Sequence, residues 1–89
     1  MIAEGSRGAA PRFFAAKLKD AVFRKARYTG AEFVQTDLCN VDLTHTELLD
    51  AQFVSANLYE AKFLYSQFAG CDFTRANLER AQFDEGRQP

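Results

Sequence analysis

The chain of 89 residues has no tryptophan, two cysteines, two prolines and one histidine. Two cysteines cannot staple a small disulfide scaffold. A single His45 supplies one ligand where a metal site needs three or four that converge. No glycine lies between Gly30 and Gly70, so no glycine-rich loop is present to cradle a phosphate, and no serine or cysteine has a histidine placed as its base. The expectation is a protein that is not an enzyme and takes no cofactor, metal or small-molecule substrate. Neither sign of charge prevails: eleven Lys and Arg against twelve Asp and Glu leave −1. That balance removes the bulk electrostatic case for direct nucleic-acid binding. Apolar runs end after a few residues, far short of the roughly 20 that span a membrane, and the N-terminus lacks a basic-then-apolar signal pattern. A single soluble domain in the cytoplasm is expected.

What the chain has in quantity is apolar residues, 47%, and aromatic ones, 13%. They are spaced by five. The series Phe13, Leu18, Phe23, Tyr28, Phe33, Leu38, Leu43, Leu48, Phe53, Leu58, Phe63, Phe68, Phe73, Leu78 and Phe83 is large and apolar throughout. Two residues before each stands a small or nearly small one, from Pro11 and Ala16 through Thr36, Val41, Ser66 and Cys71 to Ala81. On an α-helix a step of five rotates a side chain by about 140° and scatters the series around the axis. On a continuous strand an odd step flips the face each time. The chain must therefore turn every five residues, each short piece aiming its large residue at a common axis, which is a solenoid.

A second period counts the sides. Stacking residues twenty apart gives the pure columns Phe13, Phe33, Phe53, Phe73 and Leu18, Leu38, Leu58, Leu78. Stacking fifteen apart mixes rings with aliphatic chains. Four sides follow, with rungs about 4.8 Å apart, close enough for identical side chains to nest.

The segments Ala56-Asn57-Leu58 and Ala76-Asn77-Leu78 carry a small residue, an amide and a leucine. In this the chain resembles the pentapeptide-repeat family over residues 11 to 85, with Pro11, Val41 and Val22 as mild departures. The resemblance implies an all-β fold: a right-handed, four-sided parallel β-helix solenoid of just under four 20-residue coils. Residues 1–10 read as an N-terminal tail, 11–85 as the β-helix and 86–89 as a C-terminal tail. A stack this short exposes apolar columns and open backbone edges at its ends, which leaves three readings: tails that fold loosely over the ends as a cap, end-to-end pairing of two chains into a homodimer, or a place within a longer protein.

The outward position before each large residue is basic in the first coil, at Arg12, Lys17 and Arg27, and acidic in the second, at Glu32, Asp37, Asp42 and Glu47. Residues 31–60 hold six acids and no Lys or Arg. The twenty-residue register sets Arg12 over Glu32, Lys17 over Asp37, Arg27 over Glu47 and Asp42 against Lys62, so the acids read as cross-rung ion pairs. Outward positions after the large residues are apolar at Phe14, Val34, Val54, Leu49, Tyr59 and Leu64, with Tyr65 adjoining. These seven are the candidate protein-binding residues. Cys39 reads as an outward free thiol and Cys71 as a small core residue. The leading expectation is a protein-protein interaction or scaffold module for an unnamed protein partner. The resemblance also implies a DNA-imitating binder of a type II topoisomerase such as gyrase. A rod of about 18 Å with alternating charges suits that role poorly, since one DNA turn is about 34–36 Å. A purely structural spacer is the third reading.

Overall fold

The computed structural model describes residues 7–9, 12–13 and 16–84. Among the described residues its parallel bridges share one offset, twenty residues. Parallel bridges join Arg12 to Glu32, Lys17 to Asp37, Val22 to Asp42 and Arg27 to Glu47, and the same step of twenty continues to Lys62 and Gln82. Each bridge is a pair of hydrogen bonds: Asp37 N–H donates to Ala16 O at 2.9 Å, and Leu18 N–H donates to Asp37 O at 2.8 Å. Four bridges per twenty residues make the four-sided parallel coil that the columns imply. Among the described residues two regular strands form, β1 (Arg7–Ala9) and β2 (Arg27–Thr29), paired in parallel with Gly8 opposite Tyr28. Elsewhere each side is so short between corners that it makes a single bridge. β1 lies inside the segment read from sequence as a tail and already follows the twenty-residue register.

The corners explain why the chain turns every five residues. Ala21 N–H donates to Leu18 O at 3.0 Å across Lys19 and Asp20, and Asp20 has φ of 63°. A positive φ at the third residue alone is the type II turn. Left-handed residues recur at this position from Asp20 and Lys25 through Asn40, His45, Tyr65 and Arg80, with glycine only at Gly30 and Gly70. No β-branched residue stands at any of them, as the crowding of a branched Cβ in this region requires. A second ladder stacks the corners, as where Asn40 N–H donates to Tyr59 O at 2.7 Å. The Asp and Asn before the large residues also have a local task. The side-chain Oδ1 of Asp37, Asp42, Asn57, Asp72 and Asn77 accepts from the N–H two residues on, where the turn begins.

Leu18, Phe23, Tyr28, Phe33, Leu38, Leu43, Leu48, Phe53, Leu58 and Phe63 are buried, together with the small residues between them. Phe33 and Phe53 stack at 5.0 Å with planes 3° apart, and Phe53 and Phe73 at 5.2 Å and 2°. Phe63 meets Phe53 edge-on at 6.0 Å, so neighbouring columns interlock. Where Thr46 or Ser66 replaces alanine, its hydroxyl donates to the carbonyl of the preceding large residue, Leu43 or Phe63, at 2.6 Å, so no buried side-chain polar atom is unpaired among the described residues.

Candidate interaction surfaces

The outer wall holds the charges, and the register decides which meet. Arg12 pairs with Glu32 at 2.8 Å and Arg27 with Glu47 at 3.1 Å, as the sequence register predicts. Two predicted pairs do not close. Lys17 and Asp37 are bridge partners, but the Asp37 carboxylate accepts from Cys39 N–H and Asn57 Nδ2. Asp42, expected against Lys62, lies 3.7 Å from Arg24 one coil earlier. Amides take over the ladder further along, with Asn77 Nδ2 donating to Asn57 Oδ1. The acids of the second coil are therefore interleaved with cations and amides.

The apolar candidates do not form one face. Phe14 lies outside the described residues. Val34 and Val54 share a corner twenty residues apart, and Leu64 and Tyr65 share another. Leu49 and Tyr59 stand on the remaining two, so these residues ring the coil. Val34, Leu49, Val54, Tyr59 and Leu64 are half-buried against the rungs, while Tyr65 is 64% exposed. A contact that sequence reading did not single out is the stack of His45 on Tyr65, 5.0 Å apart at 17°. Its signal was present, since both stand at the left-handed position of one corner, twenty residues apart. Cys39 and Cys71 are free thiols. Cys71 is half-buried in a small-residue column, with Sγ 2.8 Å from Leu48 O. Its burial pushes the thiol up to about 11, with the Ala51 backbone opposing and the Asp50 charge assisting.

The two ends differ, although the sequence gives both open columns. Toward the N-terminus Phe13 and Ala16 are half-buried, and coverage is reached by Leu18 at 8%, Ala21 at 1% and Phe23 at 0% exposure. At the C-terminal end Phe73, Leu78 and Phe83 are only half-buried, as are Ala76 and Ala81. One coil earlier Phe53, Leu58 and Phe63 are fully covered. The backbone behaves the same way. Phe53, Leu58 and Phe63 donate their N–H groups to Asp72, Asn77 and Gln82, whereas those of Phe73, Leu78 and Phe83 have no acceptor among the described residues. Beside this edge two hydrogen bonds from Thr74, hydroxyl first and backbone N–H second, hold the exposed Asp72 carboxyl below its usual range.

The family model for pentapeptide repeats matches residues 16–48 and 51–86, in eight copies. The chain belongs to the pentapeptide-repeat family. Proteins of this family are right-handed quadrilateral β-helices, generally non-catalytic repeat folds. No curated protein sequence matches the chain significantly. Among solved structures, a pentapeptide-repeat protein from the cyanobacterium Cyanothece 51142 superposes with a TM-score of 0.53 at 17% identity, covering 94% of this chain and 60% of that one. A pentapeptide-repeat protein of the Arabidopsis thaliana thylakoid lumen gives 0.52 at 24% identity, covering 98% and 68%. The chain thus spans 60% of the length of the first. QnrB1, a plasmid-mediated fluoroquinolone resistance protein, overlaps at 16% identity with a TM-score of 0.30, covering 91% of this chain and 64% of that one. These likenesses concern the fold alone.

Proposed function

We propose that this pentapeptide-repeat chain is a non-catalytic protein-interaction module that associates through the C-terminal end of its coil. The observation that carries the reading is the half-buried trio Phe73, Leu78 and Phe83, whose N–H groups have no acceptor among the described residues. An apolar face bordered by unsatisfied backbone donors is a template for added structure. The wall supports binding less well, because its apolar residues are spread over four corners and packed against the rungs. DNA imitation is not favoured, since Glu32, Asp42 and Glu47 lie against arginines of the first coil.

The test is molar mass by light scattering across about a hundredfold range of concentration at two salt levels. An uncovered apolar mouth pairs with the mouth of a second copy, so the mass should rise above 10.0 kDa with concentration and change little with salt. Leu78→Glu should abolish the rise, and Val54→Glu should leave it. A constant 10.0 kDa mass throughout, or equal effects of the two substitutions, overturns the reading.

A further inference from the structure

We draw no further inference here: the strongest candidate, the corner column of Lys25, His45 and the exposed Tyr65 whose ring stacks on His45, carries nothing, because the next level of that column is residue 85, outside the described residues, and nothing in the structure shows what covers it.

Discussion

Replacing Phe53 by alanine tests whether the columns stabilise this coil as continuous stacks. Phe53 is fully buried, sandwiched between Phe33 at 5.0 Å and Phe73 at 5.2 Å, with Phe63 against its edge. Truncating a buried phenylalanine costs about 3–5 kcal/mol. Each aromatic pair adds about 0.5–1.5 kcal/mol beyond area, so Phe53→Ala belongs at the upper end, about 5 kcal/mol. Phe73 also meets Phe63 and Phe68 edge-on but is stacked on one face only and half-buried, so with less area removed from water Phe73→Ala should cost about 2 kcal/mol. A chain of this length has about 4–13 kcal/mol of total stability, so the first substitution removes a large share and the second leaves a folded protein. Urea unfolding followed by far-UV circular dichroism and tyrosine fluorescence separates the two. With a slope of about 2 kcal/mol per molar, the midpoints should differ by about 1–2 M. Equal midpoints, or a larger loss for Phe73→Ala, would refute the argument that stacking on both faces holds the rungs together.

The corners and the half-buried thiol give further expected outcomes. Gly70 has φ of 75°, and a Cβ there would run into Asp50 Oδ1, so Gly70→Ala should destabilise by about 1 kcal/mol in urea unfolding. The reverse change at an exposed corner, Glu60→Gly, should be neutral or slightly stabilising, because relief of left-handed strain offsets the added freedom of the unfolded chain. The folded state disfavours the Cys71 thiolate. Its contribution is therefore fully present below the ordinary thiol value of 9.0 and is lost as pH climbs through about 11. Wild type should lose stability relative to Cys71→Ala between those values, and Cys71 should react slowly with a thiol reagent at pH 8. Parallel pH profiles of the two proteins would contradict the burial argument.

The coil was legible because its rule is local and repeated. A large residue at every fifth position and a small one two places earlier define which side chains point inward. The identity of Phe13, Phe33, Phe53 and Phe73 then fixes the number of sides, since only a twenty-residue step stacks like on like. The inward set needed no knowledge of three-dimensional neighbours, and the family match agrees with it.

Tertiary structure decided whatever depends on reach and on what lies across a corner. Asp42 meets Arg24 because a long guanidinium side chain spans the corner, while the register alone pointed to Lys62. Lys17 makes no ion pair with Asp37, because that carboxylate serves the backbone and the amide ladder. The outward candidates read on one side at Val34 and Val54 and on successive sides at Val54, Tyr59 and Leu64, and because successive corners of a four-sided coil face different directions, among the described residues Val34 shares a corner with Val54 and Leu64 with Tyr65. The extent of coverage near each end was likewise invisible in the repeat, with half-burial confined to Phe13 and Ala16 at one end and running from Phe68 to Phe83 at the other. The large and small positions read the same at Phe23 and at Phe83, and only the packing around each determines that one is buried and the other half-exposed.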